Sequence, residues 1–188
     1  MADTNLNGLR VAILVTNGFE EDELVKPRKA LDDAGAQTSV VAPKSGQVQA
    51  MQHDEKSIKV DVDQTFDKAD PNDFDAVLLP GGALNADTLR VVPKAQEFVE
   101  AFDDAGKPIA VICHAPWLLI SAGLMRDRNI ASYYTIQDDI RNAGGRWHDE
   151  EVVRDANWVS SRQPSDIPAF NKEMLALFSE RKTRGQSA

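Results

Sequence analysis

Short apolar runs alternate with amphipathic stretches along most of this chain. Leu9-Arg10-Val11-Ala12-Ile13-Leu14-Val15, Gln37-Thr38-Ser39-Val40-Val41-Ala42, Ala76-Val77-Leu78-Leu79 and Ile109-Ala110-Val111-Ile112 read as strands. Continuous apolar runs of this kind belong to strands buried on both faces. Between them, residues 22–34 have helical spacing at Leu24, Ala30 and Leu31, with Pro27 in the first turns and Gly35 as the stop. Residues 92–105 place Phe98, Val99 and Phe102 on one side of a helix that Gly106 caps. Ile58-Lys59-Val60-Asp61-Val62 alternates strictly, which predicts a half-exposed strand or hairpin arm. Further on, the pattern predicts a short strand over 130–134 and a short helix over 136–143. A hairpin follows, from Val152-Val153-Arg154 and Trp158-Val159-Ser160-Ser161. A final amphipathic helix covers 167–181, with Phe170, Met174, Leu175, Leu177 and Phe178 inward. Residues 1–8 and 182–188 read as loose tails on a single domain spanning 1–188.

Strands alternating with helices imply right-handed crossovers and a mostly parallel sheet, hence a doubly wound α/β sandwich. Ligands of such sheets bind beyond the carboxyl ends of the strands. Three strand ends carry unusual residues: Asn17 to Glu20, Gly81-Gly82 and Cys113-His114. The rule predicts that they meet at one site.

Cys113 is the only cysteine. It lies between the Ile109–Ile112 strand and a buried helix at Trp117-Leu118-Leu119-Ile120, which has Pro116 in its first turn and ends near Gly123. A lone cysteine after an apolar run is by default a small buried hydrophobe. The sharp strand-to-helix turn and the adjacent His114 give it instead the setting of a nucleophile elbow, with cysteine in place of serine. The helix start favours thiolate, which predicts a thiol pKa below the ordinary value that moves when Glu20 is changed. Glu20, Glu21, Asp22 and Glu23 all suit a helix start, and one of them aimed back over the sheet would meet Cys113. A carboxyl beside a thiolate rises in pKa until it is protonated and can donate to the sulfur. Gly82 and His114 are candidates to present backbone N–H groups to an oxyanion. Asp87, in the loop after Gly82, is a candidate to orient His114, from this chain or from another subunit. A metal site of Cys113, His114 and Glu20 lacks a recognised ligand spacing, and neither metal nor cofactor is expected. His53 and His148 read as surface histidines.

The chain has 188 residues, enough for a substantial core, and a net charge of −9. That balance argues against binding a nucleic-acid backbone or an anionic membrane surface. No apolar run reaches transmembrane length and no signal peptide is evident, so a reducing cytoplasm is the expected location.

Taken in order, Asn17-Gly18-Phe19-Glu20-Glu21-Asp22-Glu23-Leu24, Leu79-Pro80-Gly81-Gly82 and Ile112-Cys113-His114-Ala115-Pro116 resemble the PfpI family. This is the intracellular protease I group of the class I glutamine amidotransferase-like superfamily. Ser132-Tyr133, Asp138-Asp139, Ala143-Gly144, Val152-Val153 and Asn157-Trp158-Val159-Ser160-Ser161-Arg162 continue the match. The resemblance implies a flavodoxin-like sheet, Cys113 as nucleophile with His114 beside it, and Glu20 as the glutamate contacting the cysteine. It also implies Gly82 and His114 as oxyanion donors and Tyr133 near the site. Homodimers or higher oligomers are implied too, with the acid that orients the histidine placed shortly after the double glycine. Here that loop runs Gly82-Ala83-Leu84-Asn85-Ala86-Asp87, without the family's proline and one residue longer. The leading expectation is a cytosolic stress enzyme of glyoxalase or deglycase type, acting on reactive-carbonyl or glycated substrates. The alternatives are a cysteine peptidase with a Cys113-His114-Asp87 triad across subunits and a non-catalytic redox sensor or holdase.

Overall fold

The computed structural model describes residues 4–185, with side chains to residue 181. In chain order it runs β1 (Arg10–Leu14), β2 (Phe19–Glu20), α1 (Glu21–Asp33), β3 (Gln37–Ala42), β4 (Gln47–Gln52), β5 (Glu55–Asp61) and β6 (Gln64–Thr65). Next come β7 (Ala76–Leu79), α2 (Ala83–Leu89), α3 (Pro93–Asp104), β8 (Ile109–Ile112), α4 (Pro116–Ser121) and β9 (Asn129–Ile130). The last elements are α5 (Gln137–Asn142), β10 (Arg146–Trp147), β11 (Val152–Asp155), β12 (Trp158–Ser161) and α6 (Ile167–Gly185).

Seven strands form one sheet in the order β11-β12-β8-β7-β1-β3-β6, parallel except for β11. From β1 the chain goes to β3 on one side and then to β7 on the other. Strand order therefore reverses at β1, which opens a crevice beyond the carboxyl ends of β1 and β7. β8 lies next to β7 in a register that pairs Leu79 with Val111, so Cys113 emerges at the edge of this crevice. The fold is a doubly wound, mostly parallel sheet sandwiched by helices.

Side chains alternate between the faces of a strand, and that alternation divides the core in two. Val11, Ile13, Leu78, Ala110 and Ile112 pack with Leu24 and Leu31 of α1 and with Phe170 and Met174 of α6. Ala12, Leu14, Val77, Leu79, Ile109 and Val111 pack with Phe98, Val99 and Phe102 of α3 and with Leu118 and Leu119 of α4. Each buried aromatic or aliphatic side chain of this kind contributes roughly 1.5–3 kcal/mol. A smaller sheet, β2-β4-β5, stands beside the crevice, with β2 parallel and β5 antiparallel to β4.

Four expectations are corrected. Leu6, read as tail, is fully buried, and its N–H donates to the Ala34 carbonyl at 2.8 Å. At the other end the chain continues as α6 to Gly185, and 186–188 lie outside the described residues. Pro27 sits in the middle of α1 on its buried side rather than in the first turns. The strand expected over 130–134 is only Asn129–Ile130, because the chain turns at Ser132 into a 3-10 turn, Tyr134–Ile136.

Candidate active site

Cys113 follows β8 directly and adopts φ 64, a left-handed conformation unusual for a side chain other than glycine. Its backbone is tied on both sides. The Cys113 N–H donates to the Ser161 carbonyl of β12 at 3.1 Å, and its carbonyl accepts the Tyr133 N–H at 2.9 Å. Strain of this kind persists only where the surroundings over-determine it. Cys113 is 6% exposed and lines a cleft of about 450 Å³. Gly82, His114 and Tyr133 line the cleft, with Glu20, His53 and Met51 from the smaller sheet and Gln163 to Ser165 across from them.

The carboxyl against the sulfur belongs to Glu23, not to Glu20. Glu23 occupies the third position of α1, on the stripe that continues through Leu24, Pro27 and Leu31, and it is fully buried. Its Oε2 accepts the Gly81 N–H at 2.8 Å, and the carboxyl is hydrogen-bonded to the Cys113 side chain. Oε1 is buried and has no hydrogen-bond partner. Glu20 precedes the helix with an extended backbone, paired with Met51 of β4. That turns its carboxylate outward, where it accepts the His53 N–H at 3.1 Å. His53 is exposed, as expected of a surface histidine, yet it stands at the mouth of the cleft.

Burial pushes Glu23 up to about 8, and its hydrogen bonds to Cys113 and Gly81 pull the other way without cancelling the rise. The carboxyl is therefore protonated at neutral pH. Burial also pushes the Cys113 thiol up, and negative charge on Glu23 pushes it further, while the Gly82 and His114 N–H groups aimed at the sulfur pull it down. Desolvation thus opposes the lowering expected from the backbone N–H groups around the sulfur. His114 is lowered by burial and stays neutral.

Two backbone groups converge on the sulfur because the loop before α2 is bare of side chains. A Cβ on Gly81 would lie 2.6 Å from Cys113 Cβ, and one on Gly82, at φ 86, would lie 2.5 Å from the Gly18 carbonyl oxygen. Only glycine permits that approach. Asn85, fully buried in the first turn of α2, holds the loop in place. Its Oδ1 accepts the Thr16 N–H at the end of β1 (2.7 Å), and its Nδ2 donates to the Pro80 and Gly81 carbonyls (3.0 Å each).

The His114 Nδ1 lies 3.2 Å from Cys113 Sγ, and its Nε2 lies 3.3 Å from Thr135 Oγ1. Tyr133 stacks on the ring at 4.9 Å, and Trp117 meets it edge-on at 5.4 Å. Within this chain Asp87 is an exposed residue of α2, and the hydroxyl of Thr135 lies beside Nε2. The cleft thus brings together Cys113, His114, Gly82 and Tyr133, with Glu20 on its wall beside His53. Sequence reasoning named Glu23 only as one of four consecutive acids and missed Asn85 and Thr135. For Glu23 a signal existed: it stands four residues before Pro27 and eight before Leu31, on the apolar stripe of its helix. Among the described residues no group of three or more His, Cys, Asp and Glu side chains is arranged to hold a metal ion. No helix among them is long and apolar enough to cross a membrane.

The profile of the DJ-1/PfpI family matches residues 9–177. Deglycase TK1284 of Thermococcus kodakarensis is 40% identical over 169 residues, covering 90% of this chain and 99% of that protein. Protein/nucleic acid deglycase 2 of Escherichia coli is 38% identical, over 89% of this chain and 96% of its own length. A crystal structure of a two-domain protein from Anabaena variabilis, with DJ-1/ThiJ/PfpI-like and ferritin-like domains, superposes with a TM-score of 0.85 at 31% identity. It matches 89% of this chain, which spans about half (47%) of that longer protein.

Proposed function

We propose, for a chain that belongs to the DJ-1/PfpI family, that it is a cysteine-dependent enzyme removing reactive carbonyls or their early adducts with amines and thiols. The observation that carries this reading is the Glu23 carboxyl, fully buried beside Cys113 under an open cleft.

Cys113 and Glu23 titrate as a pair. When the pair carries one negative charge, the sulfur can receive the Gly82 N–H, the His114 N–H and the Glu23 O–H. A Glu23 carboxylate has only the Gly81 N–H and the thiol. Donor count places the charge on sulfur. The thiolate then adds to the aldehyde carbon of a dicarbonyl. A carbon–sulfur bond forms, the π pair of the C=O moves to oxygen, and the Gly82 and His114 N–H groups face the developing oxyanion. Glu23 supplies the proton that caps it. In this reading neutral His114 takes the C–H proton of the thiohemiacetal and returns it to the adjacent carbonyl carbon, while the thiohemiacetal O–H proton passes to the oxygen of that carbon, which gives a thioester. Water hydrolyses the thioester to a 2-hydroxy acid and frees the thiol. Oxidation at one carbon balances reduction at its neighbour, so the sequence needs no external oxidant or reductant.

Relatives named as deglycases support the carbonyl reading. Hydrolysis of an amide needs a stronger acid at His114, and a hydroxyl rather than a carboxylate faces its Nε2 in this chain. The test follows methylglyoxal loss, and release of free N-acetylarginine from its fresh methylglyoxal adduct, with wild type and Cys113→Ser. The expected result is turnover by wild type and a loss of at least about a thousandfold in the variant. Casein cleavage without carbonyl turnover would move the reading to a peptidase. No turnover of either, with peroxide adding mass at Cys113, would make the thiol a sensor.

A further inference from the structure

We infer that Asn85 is the positioning residue for the double-glycine loop: one side-chain amide holds two consecutive peptide planes, so that the Gly81 N–H meets Glu23 and the Gly82 N–H meets the Cys113 sulfur. The catalytic consequence rests on the thiolate chemistry proposed above, while the geometry stands apart from it.

A trans peptide unit is planar, and its C=O and N–H point in opposite directions. The Pro80 carbonyl shares a plane with the Gly81 N–H, and the Gly81 carbonyl shares the next plane with the Gly82 N–H. Asn85 Nδ2 carries two hydrogens and lies 3.0 Å from each of these carbonyl oxygens. Holding both carbonyls from behind directs both N–H groups forward. The first donates to Glu23 Oε2 at 2.8 Å, and the second is aimed at the sulfur.

The loop cannot hold these planes by itself. The second plane lies between two glycines, which have no Cβ to restrict its rotation. A half-turn of that plane would set a carbonyl oxygen against the sulfur in place of the N–H, and would repel a thiolate or an oxyanion. Gly82 is the residue before α2 and supplies no side-chain cap. Apart from Asn85, the Gly81 carbonyl accepts the Glu20 N–H at 3.4 Å, a long contact. Asn85 has a firmer reference. It is fully buried in the first turn of α2, and its Oδ1 accepts the Thr16 N–H at 2.7 Å, just beyond β1. The donor is thereby tied to the strand at which the sheet order reverses.

The three contacts also explain the residue type. An amide offers two donors and an acceptor on one planar group. An ionised aspartate would set its negative charge against two carbonyls, serine has a single donor on a shorter stem, and glutamine would force a methylene into a fully buried site.

The test compares the full chain as wild type, Asn85→Ala and Asn85→Ser, both neutral changes that leave Glu23 and His114, the titratable groups against the sulfur, in place. In 15N-labelled wild type, the Gly82 amide proton is expected to shift along the Cys113 titration measured by pH-dependent iodoacetamide alkylation. A Gly82 amide that ignores this titration would overturn the inference, whether or not either variant folds. In Asn85→Ala the alkylation midpoint is expected to rise by about one pH unit. Its kcat for methylglyoxal is expected to fall about a hundredfold with little change in KM, the pattern of a lost oxyanion donor. Asn85→Ser leaves a smaller cavity and is expected to move both readouts in the same direction. A variant with a lower melting temperature but the wild-type alkylation midpoint and kcat would make Asn85 merely structural and overturn its positioning role. If wild type turns over no carbonyl substrate, the function proposed above fails, while the amide shift and the alkylation midpoints still decide the role of Asn85.

Discussion

Strands β8 and β12 carry a polar cluster at each end, and the two clusters obey opposite rules. At the amino end, Asp103 of α3 accepts three donors on a single oxygen: Arg128 Nη2 at 2.6 Å, Asn157 Nδ2 at 3.0 Å and Trp158 Nε1 at 2.8 Å. The Arg128 guanidinium also lies 4.2 Å over the Trp158 ring, and Asn157 Nδ2 reaches the Lys107 carbonyl. Charge is paired and every named donor has an acceptor. At the carboxyl end, a buried carboxyl beside the thiol keeps an oxygen with no hydrogen-bond partner, and the thiol sits on a backbone in the left-handed region. One end is saturated and holds the fold. The other is left short of partners, so a substrate or a moving proton can supply them. A fold can concentrate unsatisfied chemistry at one rim because the opposite rim is closed.

The sharpest way to break this contrast is Glu23→Gln. The amide keeps the shape and loses the transferable proton, so carbonyl turnover is expected to fall by about 10²–10⁴-fold. The same variant tests linkage. Glu23 is raised from its ordinary 4.5 to about 8, so the folded state holds the proton more tightly than the unfolded chain does. Its stabilising contribution is complete below the unfolded pKa and is lost as pH rises through the folded one. Urea unfolding from pH 4.5 to 8 is expected to show wild-type stability declining relative to Glu23→Gln.

Asp103→Ala probes the saturated end. Removing the shared acceptor strands a partly buried guanidinium and an indole N–H, at a cost of about 2–4 kcal/mol. The melting temperature is expected to fall by roughly 4–16 °C, with turnover per folded molecule unchanged. A large loss of turnover in folded Asp103→Ala would show that the two ends are coupled. The smallest effect is expected of Glu20→Gln, whose carboxylate faces His53 rather than the sulfur. Iodoacetamide alkylation of Cys113 should change by less than about twofold, within the range of an exposed surface substitution. A larger change would restore Glu20 to the sulfur.

The central strands were legible because burial on both faces leaves a continuous apolar run, as at Ala76–Leu79 and Ile109–Ile112. β4 was not, since only Val48 and Ala50 point inward among glutamines. α2 was read as loop because the double glycine before it masks a helix of only seven residues. Cys113, His114, Gly82 and Tyr133 fall at strand ends or turns, where sequence order and crevice position coincide. The choice among four consecutive acids depended instead on where the extended backbone stops and helical spacing begins. Residue 20 is still extended, and residue 23 already faces the core. Thr135 and Asn85 act across the chain, on His114 and Thr16, and no local pattern marks such a partner.

Gly81 works as a spacer of fixed width. Its backbone runs alongside the acid and the nucleophile, and a single added carbon would collide with Glu23 Oε2 and Cys113 Cβ together. The gap across which the proton passes is thus gauged by main chain, which cannot rotate away, and not by side-chain packing. An acid one methylene shorter at position 23 would fall short of the sulfur, because the main chain beside them has no slack to close the distance. The tolerance of this reaction to change is set by a residue that contributes no functional group to it.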